Sequence, residues 1–381
     1  MGTLGLTSRE AKSSIALALL YLMVMFSERF ERVLAALRRE APDRVPWALW
    51  GHFPAVPFLR YYSWEKANRD GEESAKAHLA LLQELDFKMD LLKIIPYYRY
   101  MAYRWGSKFR FVDNEEDAPT VEVKVKEPED WSKLWVLDPQ KELRENLRTV
   151  QILARELRQM PFIYTIASPI VQALHGVSNP ERVFNDMKSN PDALKEGLEI
   201  ITQTCIDFAK ECVAQGASGI FFGIGGGGDI WSKMTQEQLE EYGLAYDRRI
   251  LEAVEAPIKL LHICSNAQEN PQRNGGLMEK GWFKKYPVNA INWWDRSFTP
   301  LSKAKEIYGK SFCLIGGLDQ KETMLHGTPD QVEKEVQSAI ESAPEGSGLI
   351  IGPGCTLNQH TPLANYNAVG RAVEKYGRHR R

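Results

Sequence analysis

Residues 219–264, GIFFGIGGGGDIWSKMTQEQLEEYGLAYDRRILEAVEAPIKLLHIC, contain a complete strand, helix and strand. Gly219–Ile224 and Lys259–Cys264 are short apolar, β-branched runs, the composition of strands covered on both faces in a parallel sheet. Between them Thr235–Val254 has helical spacing. Its start, Thr235-Gln-Glu-Gln238, has the capping-box pattern, in which the Thr hydroxyl and Gln side chain satisfy free backbone donors. The alternation continues in both directions. Val45–Trp50, Met89–Ile94, Phe162–Ala167, Val288–Trp293, Phe312–Gly317 and Gly348–Gly352 bring the strand candidates to eight. Helical stretches at Glu72–Leu85, Pro191–Gln215, Leu301–Tyr308, Pro329–Ser342 and Pro362–Tyr376 lie between or after them. Eight parallel units with right-handed crossovers close naturally into an α/β fold of the (β/α)8 TIM-barrel type; an open doubly wound sheet is the rival.

Two additions to this barrel are expected. Residues 1–26 form an N-terminal extension of doubtful structure: Ile15–Phe26 is apolar but too short to span a membrane, and Met25 is an alternative start. SERFERVLAALRRE from Ser27 then reads as an amphipathic helix, so the barrel domain is set at 27–381. Residues 97–160 form an insertion after the second strand, where FRFVDNEED and TVEVKVKEPED suggest a β-hairpin acting as a lid or rim.

The chain has 381 residues, 48 basic against 50 acidic, for a net charge of −2. No global field draws it to nucleic acid or an anionic membrane, and neither is expected as a partner. Five cysteines, an odd number in a long chain, fit a reducing cytoplasm better than a disulfide framework. Three of them, Cys205, Cys212 and Cys313, fall inside a helix or strand and read as packing.

The other two carry the chemistry. His262 and Cys264 are two residues apart at the end of the fifth strand candidate, so their side chains share a face about 7 Å apart at Cα. Cys355, in Gly352-Pro353-Gly354-Cys355 beyond the eighth, can converge on them because all strand ends meet at one face of a barrel. One His and two Cys are a zinc set that leaves a fourth position open, as catalytic zinc does. The competing reading is a buried strand thiol beside a satisfied histidine.

Other motifs are weaker. Gly223-Ile-Gly225-Gly-Gly-Gly228 matches G-x-G-x-x-G, but Asp229–Met234 separate it from its helix, unlike a dinucleotide fingerprint. Asp229 on this loop and Asp90 in the second strand are the candidate catalytic carboxylates. Substrate contacts are expected from His52, Asn292 and His360, and from Tyr97 and Arg104 in the aromatic, basic run YYRYMAYRW.

Several motifs together resemble the uroporphyrinogen decarboxylase superfamily: APDRVPW, FKMDLLKIIP, SPIVQALHG, GGLDQKETMLHGTPDQVEKEV and GLIIGPGCTLNQHTPLANYNAVGRAV. The resemblance runs from about Ser27 to Tyr376 and implies a (β/α)8 barrel. Within that superfamily, His262, Cys264 and Cys355 match the H-x-C…C zinc motif of methyltransferases of the methylcobamide:coenzyme M type. It therefore implies zinc, a corrinoid (cobalamin) methyl carrier free or on a partner protein, and a small-molecule acceptor such as a thiol. The decarboxylase branch has an arginine-rich R-Q-A-G-R-Y segment where this chain has WGHFPAVPFLRYY, with Arg60 alone. A cofactor-free carboxy-lyase using Asp90 and a non-catalytic corrinoid- or partner-binding barrel are the alternatives.

Overall fold

The structure, a computed structural model, describes residues 28–51, 64–86, 88–94, 96, 99–111, 120–225, 230, 233–264, 276–343 and 348–378. The N-terminal extension, His52, Arg60, Tyr97 and Asp229 lie outside these residues.

Seven parallel strands form one curled sheet. In order they are β1 (Leu92–Ile94), β4 (Phe162–Ala167), β5 (Gly219–Ile224), β6 (Ile258–Ile263), β7 (Ala290–Trp293), β8 (Cys313–Leu318) and β9 (Leu349–Pro353). Strand order follows chain order throughout, as repeated right-handed crossovers require. The eighth expected strand, Val45–Trp50, is not a regular one. Its place is taken by single bridges, Trp47 to Ile351 and Gly51 to Leu357. Pro46 has no N–H to give to a ladder, yet the segment touches both sheet edges. The Pro46 carbonyl accepts from Ile351 N–H, Ala48 N–H donates to the Ile351 carbonyl, and the Trp47 carbonyl accepts from Asp90 N–H.

Inside the curl, Ala48, Trp50, Leu91, Ile163, Phe221, Ile258, Leu260, Ala290, Cys313, Ile315 and Ile350 form one apolar cluster. Helix Glu28–Arg38 adds Phe30, Val33, Leu34, Ala36 and Leu37 to that cluster. The amphipathic helix read at Ser27 thus packs onto the interior cluster. A larger core lies between the strands and the outer helices.

The helices fall close to expectation, at Gly71–Glu84, Pro191–Ala214, Leu301–Tyr308, Pro329–Glu341 and Leu363–Tyr376. The Thr235 capping box forms, but the expected helix to Val254 is interrupted by a π-helical turn at Leu239–Leu244 before Ala245–Ala253.

Residues 97–160 divide into parts with different roles. A short antiparallel pair, β2 (Lys108–Phe109) with β3 (Thr120–Glu122), lies within the stretch where a hairpin was expected. Helix Arg144–Glu156 is the crossover leading to β4, not part of a rim: Thr149 Oγ1 donates to the Gly71 carbonyl at 3.2 Å, tying it to helix Gly71–Glu84. Trp131 is fully buried, its Nε1 donating to Asp186 at 2.8 Å and its ring lying against Gly197. A Cβ at Gly197 would come within 2.3 Å of that ring, so the close approach needs glycine.

Candidate metal centre

The parallel register sets the site. His262 on β6 stands level with Gly223 on β5 and Asn292 on β7. Cys264 is one residue past β6 and stays in line because its N–H donates to the Ile224 carbonyl at 2.8 Å. Cys355 arrives through Gly354, where an added Cβ would lie 2.9 Å from the Trp293 carbonyl oxygen and 3.0 Å from Trp294 Cα. Only a residue without a side chain lets the chain turn this close to the end of β7.

The three expected ligands meet. Cys355 Sγ is 3.6 Å from His262 Nε2 and 4.0 Å from Cys264 Sγ, and all three donor atoms lie within 4.8 Å of one another. A tetrahedral ion with Zn–S of about 2.3 Å and Zn–N of about 2.0–2.1 Å spaces its ligand atoms roughly 3.8 Å (S to S) and 3.6 Å (S to N) apart. The donor set and the two distances made by Cys355 therefore fit such an ion. His262 and Cys355 are buried and Cys264 is partly exposed. The Cys355 thiol alongside it, and then burial, push the Cys264 thiol well above the ordinary range; Lys93 and Lys321 oppose this. Protonated, the two thiols share a hydrogen bond, and a bound cation would be needed to hold both as thiolates.

Asn292 is placed differently from the expectation. It is fully buried, and all its polar groups are used within the protein. Its amide donates to the carbonyls of Ile315 at 2.9 Å and Pro353 at 3.0 Å, which fixes the rotamer and aims Oδ1 at His262 Nδ1, 2.6 Å away. A substrate has no group left to contact. Asn292 instead holds the imidazole with its proton on Nδ1, leaving the Nε2 lone pair directed at Cys355, the arrangement that supports a metal-binding histidine.

Asp90 does not join the site either. It precedes β1, has no exposed surface, and both carboxylate oxygens are consumed. Arg32 donates at 2.6 Å, Arg44 at 2.7 and 3.1 Å, and Trp47 N–H at 3.1 Å. The cluster ties helix Glu28–Arg38 and the 44–47 segment to the start of β1, a structural task. Arg104, on helix Tyr100–Trp105, is half-buried, its charged neighbours Glu145 and Arg144 belonging to the crossover helix. Its Nε has no hydrogen-bond partner among the described residues, and burial lowers its pKa. His360 is exposed, with its N–H on Asn358 Oδ1 and its ring 3.3 Å from the Gln359 amide. Cys205, Cys212 and Cys313 are buried, as packing thiols should be.

Lys93 was not foreseen. It lies on β1, two residues after the inward-facing Leu91, and is 4% exposed. Its ammonium sits 4.3 Å from the Phe221 ring centroid, and that ring packs 5.0 Å from the His262 ring. Burial pulls the Lys93 pKa down to about 8, and the fields of Cys355 and Cys264 resist it. The available signal was a lysine at an inward position of an apolar strand, in FKMDLLKIIP. Lys321 stands over Trp294, 4.6 Å from its ring centroid.

Residues 28–376 match the family model of uroporphyrinogen decarboxylase (URO-D). The methylcobamide:CoM methyltransferase MtbA of Methanosarcina mazei is 24% identical over 354 residues, covering 91% of this chain and 97% of that protein. A uroporphyrinogen decarboxylase of Syntrophotalea carbinolica is 26% identical over 255 residues, 65% of this chain and 69% of that one. Among solved structures, a methyltransferase from Methanosarcina mazei superposes with a TM-score of 0.76 at 19% identity, over 92% of this chain and 99% of its own. That likeness bears on the fold alone. Among the described residues, no helix is long and apolar enough to cross a membrane.

Proposed function

Because the chain belongs to the uroporphyrinogen decarboxylase family, we propose that it is a zinc-dependent methyltransferase with a closed (β/α)8 barrel. It moves a methyl group between a corrinoid, carried free or on a partner protein, and a thiol or other acceptor. The observation that carries this reading is the set of His262, Cys264 and Cys355 donor atoms within 4.8 Å. One imidazole and two thiolates would leave a tetrahedral ion one position for an acceptor. A zinc ion held by His262, Cys264 and Cys355 would supply Lewis acidity and lower the pKa of an acceptor thiol.

The protein's own groups support that chemistry. Asn292 keeps the His262 proton on Nδ1, and Cys264 and Cys355 provide the anionic charge that retains the metal. The partial exposure of Cys264 marks the side from which an acceptor enters. Asp229 follows β5, the strand paired with β6, by five residues in the sequence, and we assign it an assisting role towards the acceptor. His52, Tyr97, Arg104 and His360 are the proposed contacts to the larger reactants.

A carboxy-lyase built on Asp90 is disfavoured by the four hydrogen bonds that occupy its carboxylate. Metal analysis is the direct test. Purified protein should hold about one zinc per chain, lost in Cys264→Ala and Cys355→Ala, and methylcobalamin should be demethylated only when metal and a thiol are both present. Stoichiometric zinc absent from the wild type, or Cys264→Ala retaining both metal and activity, would sink the reading. Corrinoid binding with no transfer to any acceptor would leave a binding protein.

A further inference from the structure

Lys93 raises a physical difficulty. An ammonium buried to 4% exposure normally has a carboxylate partner, because removing a charge from water costs several kcal/mol or more unless it is paired. Lys93 makes no ion pair among the described residues. What faces it is the Phe221 ring at 4.3 Å, which is partial compensation through the ring's negative face, and the neighbouring pair of thiols. Its neighbour Leu91 shares the barrel interior with Phe221, and Phe221 packs on His262, so the ammonium belongs to the inner wall beneath the metal ligands.

We propose that Lys93 is the counter-charge for an anionic acceptor atom at the open position of the His262, Cys264 and Cys355 site. The inference rests on the metal reading above. One imidazole and two thiolates exactly neutralise a divalent ion, so the loaded centre has no net charge until its fourth ligand arrives. A neutral fourth ligand leaves it neutral. An anionic one makes it −1 overall, inside a wall with little water, and a fixed cation nearby then favours the anion selectively. Lys93 thus acts as a selectivity group, tuning which ligand is accepted rather than holding the metal.

The test uses the full chain loaded with cobalt(II), whose absorption reports the fourth ligand. Azide and thiocyanate serve as anionic probes and imidazole as the neutral one, titrated against wild type, Lys93→Met and Lys93→Arg at pH 7. We expect Lys93→Met to bind cobalt as wild type does, to bind imidazole within about twofold, and to lose about tenfold or more in affinity for both anionic probes. Lys93→Arg should recover most of that loss. Methionine is expected to fold, because exchanging an unpaired buried charge for an apolar chain of similar length is neutral or stabilising.

Equal affinity for azide in Lys93→Met and wild type would overturn the proposal, and so would a parallel loss of imidazole, which signals distortion. Failure of both Lys93→Met and Lys93→Gln to fold would assign the lysine to the fold instead. A wild-type protein that takes up no cobalt or zinc would refute the metal reading itself, a result distinct from the others.

Discussion

Replacing Asn292 with leucine separates the metal centre from the fold that carries it. Leucine is nearly isosteric but removes three hydrogen bonds, one from His262 Nδ1 and two to the carbonyls of Ile315 and Pro353. Losing the partner that orients a ligating histidine typically costs 10- to 100-fold in metal affinity, about 1.4–2.8 kcal/mol. The two abandoned carbonyls are a separate loss of about 1–3 kcal/mol each in folding stability. Two assays read the two effects. Competition with a chromophoric zinc chelator on folded protein gives the first, and urea unfolding of metal-free protein gives the second. Trp131→Ala serves as the control, being destabilised to a similar degree by a residue that takes no part in the metal site. The expected pattern is weaker zinc binding in Asn292→Leu alone and lower stability in both. Zinc affinity within twofold of wild type in Asn292→Leu would refute the orienting role.

Three further outcomes are expected. Asp90→Ala removes the carboxylate shared by Arg32 and Arg44, which keep Asp43 and Glu374 as partners, and should cost about 1–3 kcal/mol in urea unfolding, with zinc content unchanged; loss of zinc without loss of stability would return Asp90 to the site. Trp131→Ala should cost about 3–5 kcal/mol, because the indole is fully buried against Gly197 and bonded to Asp186; a cost below 1 kcal/mol would mean that this part of the 97–160 stretch is not packed onto the barrel. Burial raises the Asp247 carboxyl to about 7, despite bonds from Ser168 and Tyr286. The folded chain therefore holds a proton that the unfolded chain releases above about pH 4, so this group's contribution is complete at low pH and is lost as pH rises towards about 7. Asp247→Asn should flatten the fall in stability between those limits without removing it, since Asp295 is also raised to about 7; an unchanged slope would refute the assignment.

The curled parallel sheet was legible because its signals are local. Buried parallel strands read as unbroken apolar runs, and at β4 and β5 the expected limits coincide with the observed strands. The capping-box pattern similarly located the helix start at Thr235. Val45–Trp50 misled for the same reason: its composition is that of a strand, while Pro46 and the need to bridge two edges reduce it to isolated pairings. Helix Arg144–Glu156 was absorbed into the insertion because a crossover helix is recognised by what it packs on.

The candidate site divides along the same line. Spacing alone put His262 and Cys264 on one face, since a strand repeats every two residues, and glycines before Cys355 signalled a tight turn. Those facts belong to the sequence by itself. The tertiary structure decided which polar residues stand beside the His262, Cys264 and Cys355 cluster. Asp90, Asn292 and Lys93 all lie on or beside strands, and nothing in their neighbours along the chain distinguishes a catalytic group from a structural one. The distinction comes from partners far away in sequence: Arg32 and Arg44 claim Asp90, Ile315 and Pro353 turn Asn292 towards His262, and Phe221 receives Lys93. A buried polar group takes its role from whatever satisfies it, and only the closed fold brings those partners within reach.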